Sequence, residues 1–207
     1  DEIDVLVDLA GHTAKNRLPM IARYKPAPSI VSFLGFGYST GLSAVDYYLT
    51  DWTSAPENSE SLFSEKPIRL PFVPLLYRAP AQVGEPGAPP ALNNGFITFG
   101  TLTRAIRMNS KVIDVWSELL SRSENSRLVL NSASFADSTI QEKVTDMFQE
   151  RGIDSKRLLI GFESPPWNVL REIDIMLDCF PHNSGTTLIQ SLYFGVPFIT
   201  LLDRPSV

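Results

Sequence analysis

Positions 173–197, IDIMLDCFPHNSGTTLIQSLYFGVP, carry the strongest signal for the fold. An apolar run ends near Asp178, a turn-rich stretch follows, and a helical pattern begins at about 185–187. This order is typical of a parallel α/β sheet, whose ligands bind where the strands end. A helix N-terminus there offers free N–H groups and a partial positive charge. The stretch predicts a phosphate site, and the alternative is that Ser184 or Thr186 merely caps the helix.

The alternation of strand and helix continues on both sides of this stretch. The apolar runs predict strands at 3–9, 29–34, 47–50, 68–70, 96–100, 128–130, 158–161, 173–177 and 198–202. Helical periodicity or turn signals predict helices at 14–24, 57–63, 109–121, 138–151, 166–171 and 186–194. Several strands are apolar along their length, which suits parallel strands covered on both faces. The predicted fold class is therefore α/β with doubly wound, mostly parallel sheets.

A break in composition divides the chain. Residues 77–95 carry four prolines and three glycines but few large apolar side chains. Such a composition is typical of a linker or an exposed excursion. We therefore predict a first α/β unit at 1–78, a linker at 79–95 and a second α/β unit at 96–207.

Composition excludes several classes of protein. The 207 residues are 43% hydrophobic and 20% charged, with a net charge of −5, which argues against nucleic-acid binding by bulk charge. The apolar stretches fall short of the ~20 residues of a membrane span. One cysteine, Cys179, and two histidines argue against a disulfide framework and a Cys- or His-rich metal site. A reducing, cytoplasmic location is expected, and the strand-like ends are expected of a piece of a larger protein.

Two further loops carry candidate site residues. FGTLTRAIRMN at 99–109 places Arg104 and Arg107 after a predicted strand, at the same sheet edge as 185–187. Two guanidiniums there can hold a diphosphate, and the alternative is a solvated basic loop. His12 follows another strand end in a Gly-His-Thr turn and is either a general acid or base or a structural residue.

Four motifs taken together resemble a known family. They are GHTxxNRLP at 11–19, PAPSIVSFLGFGYSTGLSAVDYYLTD at 26–51, FGTLTRAIRMN at 99–109 and DIMLDCFPHNSGTTLIQSLYFGVPFITL at 174–201. They resemble the catalytic region of the O-linked N-acetylglucosamine transferase and SPINDLY-like glycosyltransferases, in the family's order and over nearly the whole chain. The resemblance implies a GT-B fold of two Rossmann-like domains, both incomplete here. It also implies inverting, metal-independent transfer of a sugar from a nucleotide donor to protein Ser or Thr hydroxyls.

The resemblance further implies the substrates and partners. The expected donor is UDP-N-acetylglucosamine, the acceptor is a protein, and no cofactor is expected. Tetratricopeptide (TPR) repeats are expected elsewhere in the full-length chain, and neither nucleic acid nor membrane is an expected partner. Two alternatives stay open. One is protein O-fucosylation from GDP-fucose, as in SPINDLY-like relatives, and the other is a non-catalytic module that binds nucleotide sugars or serves as a scaffold.

The resemblance assigns donor-binding roles residue by residue. Gly185, Thr186 and Thr187 match the helix start that holds the donor diphosphate. Arg107 matches a lysine that neutralises this diphosphate, and Arg104 matches a nearby polar donor-binding residue.

Three other matches concern the sugar and the ribose. Gln190 stands where relatives usually carry an acidic residue that contacts the ribose hydroxyls, so the acceptor is kept and the charge is lost. Asp46 matches the Asp of an MDY-like motif beside the sugar site, and His12 lies in the family's Gly-His-Thr turn. Both are candidate bases, whereas the segment 165–167 departs from the family pattern around the nucleotide base.

Overall fold

The computed structural model describes residues 2–72 and 77–202, which form two compact units divided between positions 76 and 77. Each unit is built on its own parallel sheet, which confirms the predicted α/β class. The predicted domain ranges also include residues 1, 73–76 and 203–207, which lie outside the described residues.

The first unit has four parallel strands in the order β1-β2-β3-β4. They are β1 (Val5–Asp8), β2 (Ser29–Phe33), β3 (Tyr47–Asp51) and β4 (Lys66–Leu70), and helix α1 (Leu18–Tyr24) connects the first two. Helix α1 begins four residues after the predicted start at position 14 because Pro19 belongs in a first turn, where its missing N–H costs nothing. Its Leu18 and Ile21 are buried against Ile30 of β2.

The second unit has five parallel strands in the order β7-β6-β5-β8-β9. The strands are β5 (Ile97–Thr101), β6 (Ser126–Asn131), β7 (Leu158–Gly161), β8 (Ile175–Leu177) and β9 (Phe198–Ile199). The helices are α2 (Ala91–Asn94), α3 (Ser110–Arg122), α4 (Ser138–Gln149), α5 (Trp167–Arg171) and α6 (Thr186–Tyr193). The strand order reverses between β5 and β8, so the loops that leave these two strands border a switch-point crevice.

Successive side chains of β6 pack alternately into two separate apolar clusters, one on each face of this sheet. Leu128 and Leu130 pack with helices α3 and α4, whereas Val129 packs with Leu170 of α5 and with Phe194. Since both faces are covered, an apolar strand such as β6 is stable only as an interior strand of a parallel sheet. The side chain of Asn109 caps α3 by accepting the N–H of Val112.

Some predicted elements are shorter in the structure. The helix predicted at 57–63 is a single helical turn at Glu60–Leu62, because Asn58 has a φ of 67°, outside the right-handed helical region. The strand predicted at 198–202 is limited to β9, because Thr200 turns away to bond with the loop after β8. Within the described ranges, no helix has the length and apolar character to cross a membrane.

The Pro/Gly-rich segment 79–95 packs on the second unit. Val83 is 3% exposed within the cluster around Leu170, and the N–H of Ala91 donates to Asp174 Oδ1 at 2.9 Å. The role of this segment as a linker stays a prediction. Its contacts with the second sheet hold it in place.

Gly100 in β5 provides a test of this packing. A Cβ at position 100 would lie 2.3 Å from Cδ1 and 2.5 Å from Cγ1 of the fully buried Ile173. We expect Gly100→Ala to lower the free energy of unfolding by about 1–3 kcal/mol, measured in urea. Gly161→Ala is the matched control, because a Cβ at this strand glycine meets nothing within 4 Å. Equal unfolding midpoints for the two variants would contradict the packing described here.

Candidate functional site

The switch-point crevice contains a cavity of about 270 Å³ between the loops that leave β5 and β8. Its lining comprises Leu102, Thr103, Arg104, Arg107, Ser184, Gly185, Thr186 and Thr187. The structure therefore brings together five of the predicted donor-site residues, which come from two loops about 80 positions apart in the chain.

A larger cavity, of about 390 Å³, lies at the amino end of the same sheet. Its two charged side chains already have backbone partners. Arg171 donates to the carbonyls of Trp167 and Val83, and Asp174 accepts the amides of Ala91 and Thr98. The smaller cavity is the better candidate because the salt bridges found in the described part of the chain leave its two arginines out.

The two arginines give the smaller cavity its positive charge. Arg107 ends a short helical turn at Ala105–Arg107 and is half-buried, while Arg104 immediately precedes this turn and is exposed. The salt bridges found among the described residues involve neither arginine. Two guanidiniums on one loop are suited to a bidentate anion such as a diphosphate.

The N-terminus of α6 supplies the opposite wall of the cavity. Gly185 is its cap residue, and among residues 2–72 and 77–202 no side chain caps the helix, so neither Ser184 nor Thr186 has the capping role of the alternative interpretation. The first intrahelical bond runs from the N–H of Leu188 to the carbonyl of Gly185 at 3.0 Å. The N–H groups of the first turn therefore add their dipole to the cavity, as the predicted phosphate site requires.

Electrostatic effects link the arginine loop to the loop after β8. Burial lowers the pKa of His182, and the positive charges of Arg107 and Arg104 lower it further, whereas Asp178 acts to raise it. Burial raises the pKa of Cys179 to about 11, so this thiol is protonated at neutral pH. The positive charges of Arg104 and Arg107 therefore act on the loop that precedes α6.

Gln190 lies one turn further along α6 than the cavity lining. It is half-buried in the same helix as Thr186 and Thr187. The structure thus places Gln190 near the cavity without making it part of the wall, and its role toward a ribose stays a prediction.

His12 lies in the loop that leaves the carboxyl end of β1. Its Nε2 is 2.8 Å from the carbonyl oxygen of Thr40, and its ring stands edge-on to Phe36 at 5.4 Å. Because a carbonyl can only accept, Nε2 carries the proton, and in the neutral ring Nδ1 is the atom with a free lone pair. The geometry is compatible with a general base that acts through Nδ1.

Asp46 immediately precedes β3 and therefore lies at the amino edge of the first sheet. Its Oδ1 is 2.8 Å from Lys25 Nζ, and its Oδ2 accepts the N–H of Ile30 at 2.9 Å. The hydrogen bond from Lys25 and that from Ile30 lower the pKa of Asp46. No hydrogen bond joins Asp46 to His12 among the described residues, and the contacts of Asp46 tie strand β2 to β3.

Asp178 is the site residue that sequence reasoning missed as a functional group. It was identified only as the end of a strand, yet its carboxylate accepts the N–H of Ser184, which borders the cavity. The available signal was an Asp followed by a turn-rich stretch, a pattern typical of side-chain bonds to backbone amides.

Comparisons with known proteins find related sequences and a related fold. The profile of Glycosyl transferase family 41 matches residues 1–77. The Arabidopsis thaliana protein named probable UDP-N-acetylglucosamine--peptide N-acetylglucosaminyltransferase SPINDLY is 38% identical over 97% of this chain, and the corresponding SEC protein is 28% identical over 97%. The chain spans 22% of the SPINDLY protein and 21% of SEC.

A solved structure gives the fold class. The K341M mutant of Thermobaculum terrenum O-GlcNAc transferase matches 99% of this chain with a TM-score of 0.89 and 31% identity, and 39% of that protein is covered. The two parallel sheets and this match make the chain a GT-B-type α/β protein, as predicted. In sequence and fold the chain is similar to the O-linked N-acetylglucosamine transferase and SPINDLY-like glycosyltransferases.

The proximity of His182 to the arginines can be tested by titration. We expect Arg107→Ala to raise the pKa of His182, because a nearby cation disfavours the protonated imidazole. Imidazole resonances of His182 followed by NMR across the acid range measure this shift. Arg122→Ala is the control, since this exposed arginine on α3 pairs with Glu118. An unchanged pKa of His182 in both Arg104→Ala and Arg107→Ala would show that the charges do not reach it.

Proposed function

We propose that the protein transfers a sugar from a nucleoside diphosphate sugar to Ser or Thr hydroxyls of proteins, and that the switch-point cavity holds the donor diphosphate. The observation that carries the proposal is the convergence of Arg104, Arg107 and the uncapped start of α6 on one cavity. The names of the relatives support UDP-N-acetylglucosamine as the donor.

The chemistry of the leaving group explains why this cavity is suited to the reaction. As the bond between the anomeric carbon and the diphosphate oxygen breaks, negative charge grows on the β-phosphate. Arg107, Arg104 and the first amides of α6 are positioned to stabilise that charge, together with the hydroxyls of Thr186 and Thr187. Guanidiniums supply the charge compensation that a divalent cation supplies in other transferases, so we propose a metal-independent reaction.

The acceptor step follows from the inverting stereochemistry that we propose. The Ser or Thr oxygen attacks the face of the anomeric carbon opposite the diphosphate, and its proton passes to a general base. His12 is the first candidate because its Nδ1 has a free lone pair in the neutral ring. Asp46 is a weaker candidate, because it lies at the opposite edge of the first sheet from His12, is bound to Lys25 and Ile30, and has a lowered pKa.

Loss of the half-buried arginine tests the role of charge. In the full-length protein, we expect Arg107→Ala to reduce turnover by about 10²-fold, as the loss of a transition-state partner does. Arg107→Lys should lose less because the charge is kept without the fork geometry. Radiolabelled transfer from UDP-N-acetylglucosamine and GDP-fucose measures the effect and identifies the donor. Near-normal rates in Arg107→Ala would refute the assignment, and Arg122→Ala is the charge-matched control.

The threonine hydroxyls are tested by nucleotide binding. Thr187→Val keeps the shape of the side chain and removes one hydrogen-bond donor from the cavity. We expect UDP or GDP binding to weaken by about 1–2 kcal/mol, the scale of a hydrogen bond to a charged group, with little loss of stability. Isothermal titration calorimetry with both nucleotides measures this and ranks the donors. Thr145→Val on α4 is the control, and unchanged affinity in Thr187→Val would leave the hydroxyl without a role in binding.

A further inference from the structure

Asp178, the first residue after β8, is buried beneath the loop that leads into α6. The residue is 4% exposed. Its Oδ1 accepts the N–H groups of Cys179 and Ser184, both at 2.9 Å. Its Oδ2 accepts the hydroxyl of Thr200 at 2.8 Å and the side-chain amide of Asn183 at 3.1 Å. One carboxylate therefore holds both ends of the loop 179–184 and joins this loop to the segment after β9.

These bonds determine where α6 begins. Ser184 precedes Gly185, the cap residue of the helix, so the bond from the Ser184 amide to Asp178 places the first turn. Asn183 adds a second tie by donating to Thr200 Oγ1 at 2.7 Å. Because the Thr200 hydroxyl donates to Asp178 and accepts from Asn183, the three side chains close a hydrogen-bonded ring.

By its charge alone, Asp178 is expected to weaken the binding of an anion in the cavity. A carboxylate near an anion-binding cavity repels phosphate, and the charge of Asp178 already acts on Cys179 and His182. The salt bridges found in the described part of the chain do not include Asp178. Four hydrogen-bond donors stabilise the buried charge instead. The benefit of this carboxylate must therefore lie in the order that it imposes on the loop.

We propose that Asp178, together with Asn183 and Thr200, is a positioning residue for the donor diphosphate. It holds the first turn of α6 in its binding geometry before the nucleotide arrives, so that less ordering is required on binding. The inference rests on the proposed function, because it takes the cavity beside Arg104 and Arg107 as the diphosphate site.

In the full-length protein, the substitution Asp178→Asn distinguishes two effects of the carboxylate. One is its repulsion of phosphate, and the other is the order that its hydrogen bonds impose on the loop. The amide has nearly the same shape, removes the negative charge and replaces one acceptor oxygen with a donor. We expect UDP and GDP to bind about tenfold more weakly, as for the loss of a hydrogen bond to a charged group. Tighter binding would show that repulsion dominates and would overturn the proposal. Asp174→Asn is the matched control, because this Asp also accepts two backbone amides, at the opposite end of β8.

A second pair of variants keeps the test decisive if Asp178→Asn does not fold. Thr200→Val removes the hydroxyl that bonds Asp178, whereas Thr200→Ser retains it. We expect Thr200→Val to raise the KM for the nucleotide sugar several-fold and Thr200→Ser to restore it. Wild-type binding of UDP or GDP with unchanged affinity in Asp178→Asn and Thr200→Val overturns this inference alone. A wild-type protein that binds neither nucleotide overturns the proposed function and the inference with it.

Discussion

Buried carboxylates at the ends of parallel strands hold the loops that follow those strands. Asp8, Asp51 and Asp178 lie at the carboxyl ends of β1, β3 and β8, and each is at most 5% exposed. Each accepts backbone N–H groups of the turn that follows, as at Gly11, where the distance to Asp8 Oδ2 is 2.8 Å. A buried carboxylate is costly unless such donors satisfy it, so loop and strand end stabilise each other.

Aspartate carboxylates also accept backbone N–H groups at the amino edges of the sheets. Asp174 accepts the amides of Ala91 and Thr98, and Asp46 accepts the amide of Ile30. These bonds join segments that are distant in the chain, such as the Pro/Gly-rich stretch and β8. The doubly wound order then brings the loops after β5 and β8 together, which is why a cavity with two arginines and a helix N-terminus forms at that point.

Local chemistry made part of the site predictable. The sequence around 185–187 predicted a helix start, and Arg104 and Arg107 followed a predicted strand, so a shared sheet edge could be inferred for both. The sheet edge on which Asp46 lies could not be inferred in this way, because an Asp beside a strand has the same local sequence pattern at either edge of a sheet. Its contact with Lys25, which comes from the turn after α1, depends on how α1 and β3 pack. Asp178 was missed for a related reason, since its partner Thr200 follows a later strand.

The α/β class, most strands and helices, the composition break and the loops of the candidate site could all be predicted from the amino-acid sequence. These features depend on apolar periodicity, capping residues and turn residues, which act over a few neighbouring positions. The strand order, the convergence of the two loops on one cavity and the ring of Asp178, Asn183 and Thr200 became visible in the three-dimensional structure alone. These features depend on contacts between segments that are far apart in the chain, and no local pattern encodes which segments will meet.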